Sequence, residues 1–328
     1  MGRRGSVVTT VMIVLTMLLT ATAGVLAQEG TPAPLTFADT MGLPELKVQI
    51  TDTAYEGLPA ETPAGRYLLT VEATAAEGGE IGFMQLPEGM TLDDFMTLLA
   101  GPPAASPAAS IGTPMTEAGP PEDEGGPPEW YYQTKHAGGV GGGPGQTVQA
   151  IIDLTPGEWI GWPGDPESPQ APVGLTVTGD AAVTPAAGAE PPASGTVTMF
   201  EYGFKVDGAL TTGPQTIKVT NVGAQPHFMY LAYSPEPITK EQVGQILELD
   251  AQGATPAPDS GLPNPDNVIP VAYMATLSMG ATGWVAADLQ AGYYVMLCFI
   301  PDIESGMPHA FEGMYDVITI GVEGTPAP

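Results

Sequence analysis

Cys298-Phe299-Ile300-Pro301-Asp302-Ile303-Glu304-Ser305-Gly306-Met307-Pro308-His309-Ala310-Phe311-Glu312-Gly313-Met314 is the stretch on which the reading of this chain turns. It places a thiol, an imidazole and a thioether on one loop. The residues before it, Gly292 to Leu297, form a near-continuous apolar run opened by glycine, the pattern of a buried strand. Those after it, Tyr315 to Ile320, read as a strand leading out. Far upstream, His227 follows an Asn221-Val222-Gly223 turn. The 328 residues include three histidines and one cysteine, and two of those histidines and that cysteine fall in this order. Chance is a poor account of such economy.

Two imidazoles, a thiolate and a weak thioether are the donor set of a blue-copper electron-transfer site. A metal-bound cysteine is deprotonated and strongly covalent with copper. Two neutral imidazoles suit both oxidation states, and a long thioether contact leaves the ion near-trigonal, so little moves when an electron arrives. The candidate ligands are therefore His227, Cys298, His309 and Met314 for one type 1 copper cycling between Cu(I) and Cu(II). Met314 is the most replaceable, with Met307 and Met229 nearby. A lone cysteine in an oxidising compartment is a buried thiol, an intermolecular bridge or a ligand. Its neighbours favour the ligand.

The first residues read as an export signal. Arg3 and Arg4 precede a short apolar run from Val7 to Leu19, and Val25-Leu26-Ala27 offers a cleavage site. The run is short for a membrane span, and no second stretch of spanning length follows. Residues 1–27 are thus expected to be removed and the mature chain to be periplasmic or extracellular. Eight Lys plus Arg against 37 acidic residues give a net charge of -29. That balance excludes nucleic acid and anionic lipid as electrostatic partners and favours basic ones.

Segments rich in Pro, Ala, Gly and Thr punctuate the chain: Gly101 to Pro128, Asp180 to Ser194, Gln252 to Asp266 and the Gly324 to Pro328 tail. They bury too little apolar surface to order themselves. The expected division is a domain at 28–180 with an insert at 101–128, a linker at 181–195, and a second domain at 196–328. The two blocks match. At one constant offset Gly65, Val71, Ala76, Pro87, Glu88 and Thr91 fall on Gly213, Val219, Ala224, Pro235, Glu236 and Thr239. After the insert, Asp153, Leu154 and Gly157 fall on Asp288, Leu289 and Gly292. A duplicated unit is the economical reading. Thr239-Lys240-Glu241-Gln242 is a capping box ahead of Val243, Ile246 and Leu247 at helical spacing. Thr91 to Asp94 starts the matching helix, with Leu92, Phe95, Met96 and Leu99 expected to face inward. Short strands with Gly and Pro turns predict an all-β chain of two sandwiches, each with one short helix.

Residues 196 to 321 resemble a cupredoxin domain, the fold of plastocyanin, azurin and rusticyanin. The resemblance rests on His227 after its turn on an early strand, and on Cys298, His309 and Met314 on one late loop. It implies two tandem cupredoxin-like Greek-key sandwiches, of which only the second carries copper ligands. His227 aligns with Gly79 and Cys298 with Pro163, and Gly164 to Pro172 holds no His, Cys or Met. By family analogy His309 reaches the surface as the electron port, with Met307, Pro308, Ala310 and Phe311 forming a docking patch. Two features depart from the commonest pattern. The Cys-to-His interval is long, and Phe228 stands where many members carry Asn or Ser.

His136, alone among glycines, reads as a solvated loop residue. With it as the one histidine left over, the chain cannot supply the His-x-His pairs of a trinuclear centre or a catalytic type 2 copper, and one cysteine cannot build a binuclear copper centre. No hydrolytic signature is present. The expectation is a carrier and not an enzyme, with a basic redox protein such as a cytochrome as partner. The alternative is a copper-free extracellular binding module or a copper storage or chaperone protein. The spread of the methionines argues mildly against storage.

Overall fold

The structure is a computed structural model that describes residues 34–38, 40–99, 129–164, 168–179 and 190–322. The export signal, the 101–128 insert and residues 181–189 of the linker lie outside the described residues.

The second half shows the plan. β10 (Gly195–Phe200) turns into β11 (Gly203–Gly208) and lies parallel to β12 (Gly213–Asn221), which pairs antiparallel with β15 (Thr282–Leu289). The facing sheet holds β13 (His227–Ser234), β14 (Ile269–Leu277), β16 (Gly292–Leu297) and β17 (Tyr315–Ile320). The chain crosses between sheets after β12, β14 and β15, which is Greek-key order. Period-2 burial explains β12: Gln215, Ile217, Val219 and Asn221 point inward while their neighbours are half-buried or exposed. β13 lies between β14 and β16 and is buried along almost its whole length. Val197, Ile217, Val219 and Val285 pack with Met229, Leu231, Met274 and Met296 in one core. Each such side chain contributes about 1.5–3 kcal/mol on burial.

The first half repeats it. β1 (Glu45–Ile50), β2 (Tyr55–Glu56), β4 (Gly65–Ala73) and β7 (Gln146–Leu154) form one sheet, the counterparts of β10, β11, β12 and β15. β5 (Gly79–Gln85), β6 (His136–Gly142), β8 (Gly157–Trp162) and β9 (Val173–Thr178) form the other, with the short β3 (Glu61–Pro63) at its edge. The repeat read from sequence falls on equivalent strands: β4 and β12 both start at the matched glycine, Gly65 and Gly213.

The halves are joined edge to edge. β7 pairs antiparallel with β15, and β6 with β14, so the sheets run on as strand orders β11-β10-β12-β15-β7-β4-β1-β2 and β17-β16-β13-β14-β6-β5-β8-β9-β3. Ala150 pairs with Val285, its own equivalent in the repeat. An approximate two-fold axis therefore passes through that pair. Within the first half Arg66 forks onto Asp153 at 2.7 and 2.8 Å, and across the seam it lies 4.5 Å over the Trp284 ring.

The helices follow their caps. α1 (Leu92–Leu99) starts with Thr91 and Asp94 bonded reciprocally, and α3 (Lys240–Ala251) with Thr239 and Gln242. α3 buries Val243 and Leu247. In α1 Phe95 is buried, but Met96 is exposed, against the expectation. The first half also has an additional short helix, α2 (Glu129–Gln133). The expected linker at 252–266 is exposed turns leading into a single 3-10 turn at Pro265–Asn267.

Candidate metal centre

The site sits where β12 hands over to β13 and β16 hands over to β17. Asn221, fully buried at the end of β12, holds the first turn. Its Nδ2 donates to the carbonyls of Gln225 and Leu277, at 2.7 and 2.8 Å, and its Oδ1 accepts from Gly223 N–H. That turn delivers His227 at the first position of β13.

The long loop keeps its ends together. Pro301 bridges Pro308, and His309 N–H donates to Ile300 carbonyl at 2.9 Å. Between them the chain closes on Asp302, whose Oδ1 accepts from Glu304 and Ser305 N–H. The interval is thus an outward excursion that returns His309 to the level of Cys298. A 3-10 turn, His309–Glu312, then leads to Met314. Met314 N–H donates to His309 carbonyl at 2.8 Å and Cys298 N–H to Met314 carbonyl at 3.3 Å. The first half contributes too: Tyr132 of α2 donates its hydroxyl to Pro301 carbonyl at 2.7 Å.

The result is a compact donor group. Cys298 Sγ lies 4.0 Å from His227 Nδ1 and 3.8 Å from His309 Nδ1, and the two Nδ1 atoms lie 3.1 Å apart. All three residues are buried, and among the described residues they are the one such group of His, Cys, Asp or Glu that could hold a metal ion. At those separations a single ion can reach all three donors at about 2.0–2.3 Å while staying close to their plane. Two imidazoles and a thiolate in a near-trigonal array fit one type 1 copper. Met314 is fully buried and tied through its backbone to Cys298 and His309, Met229 is buried within β13, and Met307 is exposed.

Burial sets the protonation states. It lowers both His227 and His309 to about 4, so both imidazoles stay neutral with a lone pair to offer, and it pushes the Cys298 thiol up to about 12. The N–H groups of Phe228 and Ile300 bond the sulfur and oppose that rise. Phe228 itself packs against Tyr273.

His309 does not reach the surface. Tyr202 stacks edge-on at 5.6 Å, and Nε2 faces Gln225 Oε1 at 3.4 Å. Pro308 and Ala310 are also buried, so the docking patch expected around the histidine is not formed by them. The exposed apolar residues nearby are Tyr202, Ile303 and Met307. Behind this cover Asp302 accepts from Tyr202 hydroxyl at 2.7 Å and from Gln225 Nε2 at 2.6 Å. Burial raises its pKa, but the hydrogen bonds from Gln225, Ser305, Tyr202 and Glu304 outweigh it, and the carboxyl stays well below the usual range. Glu201 accepts from the N–H groups of Ala224 and Gln225 and lies 3.9 Å from His227 Nε2.

His136 is not a solvated loop residue. It opens β6, is buried, and bonds Thr134 Oγ1 and Tyr131 carbonyl. At the first-half counterparts of the ligands stand Gly79, which starts β5, and Pro163, which follows β8.

No family model matches the chain, and no curated protein matches it. Among solved structures it is similar to the reduced auracyanin of Roseiflexus castenholzii, at 20% identity over 39% of this chain and 95% of that one, TM-score 0.26. It is also similar to auracyanin A, a "blue" copper protein of Chloroflexus aurantiacus, at 18% identity over 39% and 100%, TM-score 0.24. The copper nitrite reductase of Nitrosomonas europaea matches at 10% identity over 85% and 94%, TM-score 0.21.

Proposed function

We propose that this chain is an exported type 1 copper protein, an electron carrier rather than an enzyme, with one mononuclear site in its second half. His227, Cys298 and His309 would hold the ion, with Met314 as the weak fourth donor. The observation that carries the reading is the approach of two Nδ1 atoms and one Sγ to 3.1–4.0 Å in a fully buried group. Bound there, copper supplies one-electron chemistry between Cu(I) and Cu(II).

The chain's own residues do the rest. The Cys298 thiol, whose proton is held tightly by burial, gives it up when a cation arrives, so uptake releases a proton from Sγ. The strand ends and the Asp302 closure fix the donors in place. Burial excludes water and keeps both imidazoles neutral. The excess of acidic residues steers a basic redox partner, such as a cytochrome, with association slowing as salt rises. Tyr202, Ile303 and Met307 offer that partner an apolar contact next to the site.

Visible absorption and electron paramagnetic resonance of residues 28–328 with one equivalent of Cu(II) test this. The expected result is an intense thiolate-to-copper band with a perturbed copper signal, both lost in Cys298→Ser. A colourless protein with ordinary Cu(II) features would end the proposal.

A further inference from the structure

A neutral imidazole has one N–H and one lone pair, and which nitrogen carries the proton is set by what the other faces. Here the two inward nitrogens, both Nδ1, lie 3.1 Å apart and cannot both be protonated. The outward nitrogens decide the matter.

His309 Nε2 faces Gln225 Oε1 at 3.4 Å. The orientation of that amide is not free. Its oxygen also accepts from Ile303 N–H at 3.0 Å, and its nitrogen donates to Asp302 Oδ2 at 2.6 Å. Flipping it would set an NH2 group against an N–H and a carbonyl oxygen against a carboxylate. The acceptor end therefore points at His309, and Nε2 is the protonated nitrogen.

His227 Nε2 is fully buried with no hydrogen-bond partner. The carboxylate of Glu201 stands 3.9 Å away, gripped by two backbone N–H groups. Gly223 lies beside the gap between them. A Cβ there would come within 2.7 Å of both His227 Nε2 and Glu201 Oε1. The glycine leaves the approach open, and a carboxylate can only accept.

Glu201 shares one small turn with the residue that covers His309. Glu201 and Tyr202 are the turn between β10 and β11, and Tyr202 holds φ at 60°, a left-handed conformation costly for a side chain of its size. Its ring on His309 and its hydroxyl on Asp302 account for that strain.

We infer that Glu201 and Gln225 are the positioning residues of the site: Gln225 accepts from His309 Nε2–H, and the Glu201 carboxylate, 3.9 Å from His227 Nε2, draws that ring's proton to the same outward nitrogen, so that both Nδ1 lone pairs turn inward, with Tyr202 as the roof. This rests on the metal-site reading proposed above. With both lone pairs converging, the group is set for a cation before one arrives. The Glu201 charge also favours the more oxidised ion.

The test uses Zn(II), which needs the same lone pairs and no redox chemistry. Chelator competition should show Glu201→Leu and Gln225→Leu weakened about 10–100-fold, as loss of such outer partners costs. Glu201→Gln, which keeps an acceptor, should retain most of the affinity, while its copper form shows a raised midpoint potential because a negative charge is gone. In the metal-free wild type, nitrogen-15 spectra should show the protons of His227 and His309 on Nε2 before any cation is added, a readout that needs no variant to fold. Leucine variants that fold and bind Zn(II) like wild type, an unshifted potential in Glu201→Gln, or a proton on Nδ1 of either ring would overturn the inference. A wild type that takes up neither Zn(II) nor copper overturns the metal-site reading itself, and this one with it.

Discussion

The two halves share a strand plan and differ in whether that plan carries donors. Where the second half has Asn221, His227 and Cys298, the first has Ala73, Gly79 and Pro163 at the equivalent strand ends. The first half has also closed the space. A Cβ on Gly79 would lie 2.8 Å from Ile50 Cγ2, so a histidine has no room there. The end of β8 instead joins an aromatic cluster in which Trp162 packs on Phe95 at 5.4 Å and Phe95 on Trp130 at 6.0 Å. Period-2 burial is enough to hold a sandwich, and both halves have it. A metal centre needs a second, polar set of residues at one end, and only one half has that.

Copying the first half into the second is the sharpest way to break this contrast. Asn221→Ala, which imitates Ala73, removes three hydrogen bonds in a fully buried turn. It should cost roughly 3 kcal/mol in urea unfolding and weaken the copper band, because the turn that delivers His227 loosens. An unchanged midpoint would mean that the turn is held by the strands alone.

Acid should separate the halves in another way. Burial lowers His136 to about 4 from an ordinary value of 6.5. Between those values the unfolded chain binds a proton that the folded chain refuses, so stability is full above pH 6.5 and falls as pH drops toward 4. The loss is as much as ~3 kcal/mol for this one residue. Urea midpoints of the metal-free protein at pH 7 and pH 4.5 should converge in His136→Gln relative to wild type. His227 and His309 add losses of the same sign in both proteins, so His136→Gln should keep a part of the acid sensitivity.

The smallest effect lies at the seam. Arg66→Ala removes a forked, partly buried ion pair and a cation–π contact, about 1–2 kcal/mol together. Thermal unfolding should shift down while the copper spectrum stays as it is. A spectral change would tie the site to the junction more closely than the contacts suggest.

The clustering of His227, Cys298 and His309 was legible in the sequence because scarce residue types sat at strand ends, and strand ends follow from local pattern. The helix starts at Thr91 and Thr239 were legible for the same reason. What covers His309 was not. Tyr202 comes from a hairpin turn about a hundred residues away, and nothing near it marks it as reaching a histidine. The excursion closed by Asp302 reads as mere length until its backbone bonds are seen, so His309 looked free to reach solvent. His136 misled because its neighbours are glycines. Those glycines belong to a strand, and Tyr131 and Thr134 just before it cover the ring. The edge-to-edge joining of β7 to β15 had no signal either, since a pairing edge and a free edge carry the same alternation.

That joining has one more consequence. A contact through a two-fold axis is isologous: in a dimer of identical subunits each substitution strikes it twice, and every feature of one partner is imposed on the other. Here the partners are linked in one chain, at a high effective concentration fixed by the connecting segment. Each face can then vary by itself. One half can give up its donors and fill with aromatics while still serving as the other's permanent subunit, lending Tyr132 to the loop that carries Cys298 and His309.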